Sequence, residues 1–256
     1  MALVIWNEAT REELREILPE SLVVLPTGAT EQHGPHLATG HDTFAVSAVV
    51  QAAAERAAES LSVVLAPALP FGSSAHHFPF GGTLSLATET YLRVVKDLVA
   101  SIVAGGGRRV LLINGHGGNH ELNQLVARDV ALTQPPERPV AIAAASYWDL
   151  AREAITADPG LAGMPVPGHA GQFETATMLA LDARNVREPR AERGGPTGAA
   201  SMIAGARVEV TGLWASFDGF TDFPYLATAA QGEAILTHVV RETAAALVAF
   251  ASVDLA

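Results

Sequence analysis

Cysteine is absent from this 256-residue chain, which excludes a disulfide framework, a thiolate metal site and a cysteine nucleophile. Any metal ligands must therefore be His, Asp or Glu. Basic residues are scarce: 16 Lys and Arg stand against 27 Asp and Glu, and the formal charge of -11 disfavours nucleic acid and anionic membrane surfaces as partners. Small molecules and short peptides are left as substrates. Clean apolar runs are also missing. The best candidates are interrupted at Arg93, Lys96 and Asp97 and at Arg241 and Glu242, short of the roughly 18 residues of a bilayer span, so no membrane association is expected. The opening MALVIWNEAT has neither a basic leader nor a long apolar core, and the expectation is a cytoplasmic protein. The sequence has no internal repeat and no low-complexity linker.

What is present is enough apolar surface for one large core: 49% of the residues are hydrophobic, and one domain over 1–256 is expected. Thr10 and Glu13 have capping-box spacing ahead of a helical Leu14 and Ile17 pattern, and the run Leu22 to Leu25 reads as a buried strand. Helical patterns follow at 43–60, 88–104, 119–132, 147–156, 171–182 and 228–253, with strands at 62–66, 110–113 and 139–145. Strands alternating with helices predict an α/β fold built on a mostly parallel sheet. The stretch 184–226 is less regular, with a possible short strand at 207–210, and reads as an excursion near the site.

Eight of the nine histidines fall in four clusters rich in glycine, proline and carboxylates, placed at loops or element ends, and His238 alone is expected in an ordinary helix. Loops following buried strands are where open α/β sheets place their ligands. In Glu31-Gln32-His33-Gly34-Pro35-His36, extended backbone sends Glu31 and His33 to the same side, so both can face one ion or two adjacent ions; an incidental surface turn is the plainer reading. Asp42 has an equally plain role as N-cap of a helix beginning at Thr43. Asn114-Gly115-His116-Gly117-Gly118-Asn119-His120 puts His116 at the end of an apolar strand, with Asn119 available as a helix cap and His120 as a helix-surface residue. That loop lacks the spacing of a phosphate-binding motif. His169 precedes Glu174 by five residues at the start of a helix, where a carboxylate is favoured by the helix dipole whatever its function. Taken together, these histidines and carboxylates are the N/O donors expected around Zn²⁺, Mn²⁺ or Fe²⁺. The fourth cluster, Ser73 to Thr83, contains His76 and His77 but no carboxylate, and reads as pocket wall.

Four of these motifs, in order, resemble the creatininase (creatinine amidohydrolase) family: Gly28 to His36, then Asp42; Ser74 to Leu86; Asn114 to Asn119; and His169 to Thr175. The resemblance covers about residues 5 to 182 and returns weakly in the C-terminal helix. It implies a three-layer α/β/α hydrolase with two divalent metal ions per chain, assembled as a homo-oligomer, often a hexamer, and cleaving a C–N bond. Glu31, Asp42 and His116 would hold one ion and His33 with Asp42 the second, so that Asp42 bridges the two. In creatininase a glutamate two residues after the motif histidine completes the second site, whereas this chain has Gly118 there. The departure argues for a member distinct from creatininase. Glu174 is the expected replacement ligand, and is placed with His169, the expected proton shuttle, in the catalytic set. His77, Asn119 and Trp148, the last similar in placement to a tryptophan of the family pocket, are expected to contact substrate, with a partly buried core position as the other reading of Trp148.

The expected activity is metal-dependent hydrolysis of an amide, lactam, formamide or peptide bond. The alternatives are a non-catalytic metal- or ligand-binding protein of the same fold, or a hydrolase or isomerase acting on a ring ketone or lactone derived from a sugar or inositol.

Overall fold

The computed structural model describes residues 1–192, 208 and 210–255. Five parallel strands, β1 (Leu3–Ile5), β2 (Leu22–Thr27), β3 (Val63–Leu65), β4 (Arg109–Asn114) and β5 (Ala141–Ser146), form one sheet in the order β1-β3-β2-β4-β5. The three-residue edge strand β1 pairs with β3 and was too short to be legible in the sequence. Eight helices accompany the sheet among the described residues: α1 (Arg11–Ile17), α2 (His41–Ala57), α3 (Thr88–Ala104), α4 (His120–Leu132), α5 (Tyr147–Ala157), α6 (Gln172–Asp182), the short α7 (Leu213–Ser216) and α8 (Ala229–Ala251).

The alternation of a pleated strand divides the sheet's side chains between two cores. Leu22 and Val24 of β2 and Leu111 and Ile113 of β4 pack with Val46 and Val49 of α2, Ile155 of α5, Phe173 of α6 and Ile235 of α8. Val23, Leu25, Val110 and Leu112 face the other way, onto Tyr91, Val95 and Val99 of α3 and Val126 of α4. A parallel sheet covered on both faces is the three-layer α/β/α architecture expected. Thr10 makes the capping box anticipated for α1, its hydroxyl accepting from the Glu13 N–H and the Glu13 carboxylate accepting from the Thr10 N–H.

One expectation is corrected here. Helix α2 begins at His41 with Gly40 in the N-cap position, so Asp42 lies inside the first turn and does not cap the helix. Its carboxylate is drawn to buried histidines instead. Helix α8 is long and apolar enough to cross a membrane by length and composition only, with Arg241 and Glu242 interrupting it as expected. Its apolar stripe, with Ile235, Val239 and Leu247, is packed in the core it shares with α2, α5 and α6. The possible strand at 207–210 lies largely outside the described residues.

Candidate metal centre

The centre lies beyond the carboxyl ends of β2 and β4, neighbours in the middle of the sheet whose last residues, Thr27 and Asn114, are in register. Chain leaving β2 carries Glu31 and His33, and chain leaving β4 carries His116. Gly115 N–H donates to Thr27 O at 2.8 Å, which ties the two exits together. Asn114 sets the turn that follows: its Oδ1 accepts from His116 N–H at 3.1 Å, and its Nδ2 donates to His116 O at 2.7 Å. Asp42 enters from the first turn of α2, and Glu174 from that of α6.

Glu31, His33, Asp42, His116 and Glu174 are all buried, with Glu31 and His33 wholly inaccessible. Donor atoms of Glu31, Asp42 and His116 lie within 4.8 Å of one another, and so do those of His33, His41, Asp42 and Glu174. Asp42 belongs to both groups. His116 Nδ1 is 3.2 Å from Glu31 Oε1 and 3.1 Å from Asp42 Oδ2, yet both Glu31 oxygens and Asp42 Oδ2 lack a partner in hydrogen-bonding geometry. Proximity without alignment is what donors aimed at a common point produce, and buried acceptors are normally satisfied. This donor set fits divalent cations.

The second ring nitrogens fix which face each histidine presents. His33 Nδ1 is 3.1 Å from Glu31 O, leaving Nε2 toward Asp42 Oδ1 at 3.0 Å and Glu174 Oε2 at 3.6 Å. His116 Nε2 is 3.2 Å from Ser73 O and 3.2 Å from Ser74 Oγ, leaving Nδ1 toward the carboxylates. A ligating histidine is oriented in this way, through the N–H of its other nitrogen.

Charge compensation governs protonation in this site. Burial pushes the Glu31 carboxyl up, but nearby His116 and His77 together more than offset it and the group sits below the usual carboxylate range. Asp42 sits well below that range, burial being overcome by His33 and His116. Burial lowers His33, yet Asp42, Glu174 and Glu31 raise it to about 10. His116 is likewise raised above its ordinary value against burial, by Glu31 and Asp42. Glu174 is pushed up to about 8, chiefly by burial and against the pull of His33. The ion-free cluster at neutral pH thus carries protons on His33 and His116 and on Glu174 as well.

A second layer surrounds the first. His169 Nε2 lies 3.0 Å from Gln32 O, its Nδ1 lies 3.5 Å from Glu31 Oε1, and burial followed by the His33 charge holds its pKa well below the ordinary value. Gln32 Nε2 reaches His77 Nδ1 at 2.8 Å and Gly219 O at 2.6 Å. His77 presents Nε2 to Glu31 Oε1 at 3.5 Å and stacks on His169 with ring centroids 4.2 Å apart. Trp214 stands edge-on to both rings, 4.7 Å from His77 and 5.3 Å from His169. Ala170, in the left-handed region at φ 48°, donates its N–H to Glu174 Oε2 at 2.5 Å. Asp222 Oδ1 accepts the Gln172 N–H at 2.6 Å at the head of α6, and Asp222 Oδ2 would lie 2.0 Å from a Cβ added at Gly171.

The fold therefore brings Glu31, His33, Asp42, His116, His169, Glu174 and His77 into one constellation. Trp148 and Asn119, also expected to contact substrate, are buried. Trp148 lies in the main core, edge-on to Tyr147 at 5.1 Å, the alternative weighed for it. Asn119 is fully buried with its amide committed to backbone, Nδ2 to Gly28 O at 3.0 Å and Oδ1 to Ser73 N–H at 3.0 Å, so it ties loops together and caps no helix. His120 Nδ1 lies 2.8 Å from Ser146 Oγ at the head of α4. His41 stands at an element end, as expected, as the first residue of α2. Sequence reasoning also missed Gln32, Trp214 and Asp222. Gln32 sits inside a motif already singled out, whereas Trp214 and Asp222 carry no local signal because distant chain brings them in.

The family model for creatininase, described as creatinine amidohydrolase, matches residues 7–247. The chain belongs to the creatininase family. Similar proteins include the mycofactocin precursor peptide peptidase of Mycobacterium tuberculosis (strain CDC 1551 / Oshkosh), 32% identical over 247 residues that cover 91% of this chain and 86% of the relative. Among solved structures, creatinine amidohydrolase (creatininase) is 27% identical with TM-score 0.78, covering 95% of this chain and 96% of that one. A creatininase variant with a glutamate changed to glutamine, of zinc–zinc type, is 26% identical with TM-score 0.76 over 96% of this chain and 97% of that one. Within this creatininase-family fold, Gly118 has no room for a side chain. A Cβ there would lie 2.3 Å from Ser73 O and 2.5 Å from His116 Nε2.

Proposed function

We propose that this chain is a metal-dependent amidohydrolase that cleaves a C–N bond in a short peptide or small amide, using two divalent ions. The observation carrying this reading is the set of buried, unpartnered oxygens of Glu31 and Asp42 converging beside His116. Glu31, Asp42 and His116 would hold one ion, and His33, Asp42 and Glu174 the other. When bound, the ions would lower the pKa of a shared water and polarise the scissile carbonyl.

The chain's own residues supply the rest. His169 is neutral by virtue of its buried position, and its Nε2 is held at Gln32 O. Nδ1 is thereby the open position from which a proton is taken up and then delivered to the leaving nitrogen. Gln32 fixes His77 and, through its backbone carbonyl, His169. Trp214 walls both imidazoles, limiting water and offering a flat apolar surface to a planar amide. A short-peptide substrate is favoured by the likeness to a peptide peptidase across most of the chain.

Turnover of amides, lactams, formamides and short peptides in the presence of Mn²⁺, Zn²⁺ or Fe²⁺ tests the class. Metal analysis of Glu31→Gln tests the centre, with loss of ion and turnover together as the expected result. Wild-type protein holding less than one divalent ion per chain, together with Glu31→Gln leaving turnover intact, would end the hydrolase reading. His169→Ala is expected to cost about 10²- to 10⁴-fold in kcat/KM with metal content unchanged.

A further inference from the structure

We infer that His41 is a ligand of the second ion, joining His33, Asp42 and Glu174 in a four-residue protein shell; the inference rests on the metal-centre reading above. His41 is 1% exposed, and neither of its ring nitrogens has a hydrogen-bond partner. Its neighbours at the centre do not share this condition: His33 uses both nitrogens, and His116 anchors Nε2 at Ser73 O and Ser74 Oγ. A donor atom of His41 lies within 4.8 Å of donor atoms of His33, Asp42 and Glu174, and the His33 and His41 rings are 5.0 Å apart. A histidine packed in a core ordinarily donates to a carbonyl or carboxylate, and one with both nitrogens idle has given up water for nothing.

The position explains why this group is available. His41 is the first residue of α2 and Asp42 the second, so one helix turn offers the bridging carboxylate and the imidazole together. Gly118, by contrast, is closed to any side chain by Ser73 O and His116 Nε2. The coordination of the second ion must then be completed from elsewhere. His33 and Asp42 with Glu174 give three donors, and His41 adds a neutral fourth. Four protein donors plus solvent exceed the three-ligand shell of a typical catalytic zinc site, so the second position favours an ion that accepts more than four ligands, as Mn²⁺ does.

The test uses the full chain loaded with Zn²⁺ or Mn²⁺. In wild-type protein, X-ray absorption at the zinc edge should require three imidazoles shared over two ions. His41→Phe should keep the fold by circular dichroism and the tighter first equivalent, while the second equivalent weakens at least about tenfold in chelator competition. Two imidazoles over two ions in the wild type, or a folded His41→Phe with both affinities unchanged, would overturn the role of His41 and leave the metal centre standing. Wild-type protein that binds no second ion would overturn both. Because the absorption measurement needs no variant, a misfolded substitution does not shield the inference.

Discussion

At the scale of single residues, three carboxylates buried among histidines set the chemistry. Without an ion the negative charge is met by protons, and His33, raised to about 10, and His116, also raised, are cationic at neutral pH. A nitrogen must lose its proton to become a ligand, so ion binding expels protons and the apparent affinity rises with pH. Between pH 6 and 8, well below the His33 value of about 10, the gain should be about tenfold per pH unit for each proton released. Chelator competition across that range, with calorimetry in two buffers of different ionisation enthalpy, measures it; a pH-independent affinity would contradict the assignment. Gly118 makes a steric prediction at the same scale. Gly118→Ala puts a methyl against Ser73 O and His116 Nε2, costing about 1–3 kcal/mol of stability and displacing His116. Thermal unfolding and metal content should both fall, and a variant as stable and as metal-rich as wild type would refute the close approach.

At the scale of elements, α6 is the least self-sufficient part of the site. The N–H of its first residue, Gln172, is met at 2.6 Å by Oδ1 of Asp222, fifty residues further along the chain, which also accepts the Phe223 N–H at 2.8 Å. Asp222→Ala should cost about 1–3 kcal/mol and loosen Glu174 in the same turn, lowering affinity for the second ion more than for the first. Equal loss at both ions would show that the effect is global. The opposite side of α6 crosses α8 so closely that a Cβ at Gly232 would meet Ala176 O at 1.9 Å. Gly232→Ala, normally favourable within a helix, should here lower the unfolding temperature, and a raised one would contradict the crossing.

At the scale of the whole molecule, the exposed apolar side chains include Phe44, Phe71, Phe78 and Leu84. We propose a homo-oligomer, a hexamer by family resemblance, with a solution mass near six times the 26.6 kDa chain. Light scattering coupled to size exclusion reads this directly, and a mass of one chain at micromolar concentration would exclude it.

The sequence by itself determined the layers and most of the residues that meet in the candidate centre. Strand alternation, helical periodicity and the capping box are local properties, and they placed β2, β4, α3 and α5 within a few residues. Glu31, His33, His116 and Glu174 stood out because strand-end and helix-start positions are readable from neighbouring residues. Tertiary structure decided the rest. Asp42 reads locally as a helix cap and gained its bridging role only from the family resemblance, and the fold sets it between His33 and His116; of the two readings of Trp148, substrate contact and core, the fold places it in the core. Trp214, Asp222 and the unpartnered His41 became visible only in three dimensions, because what each does depends on atoms supplied by chain far away in sequence, and no local pattern encodes that distance.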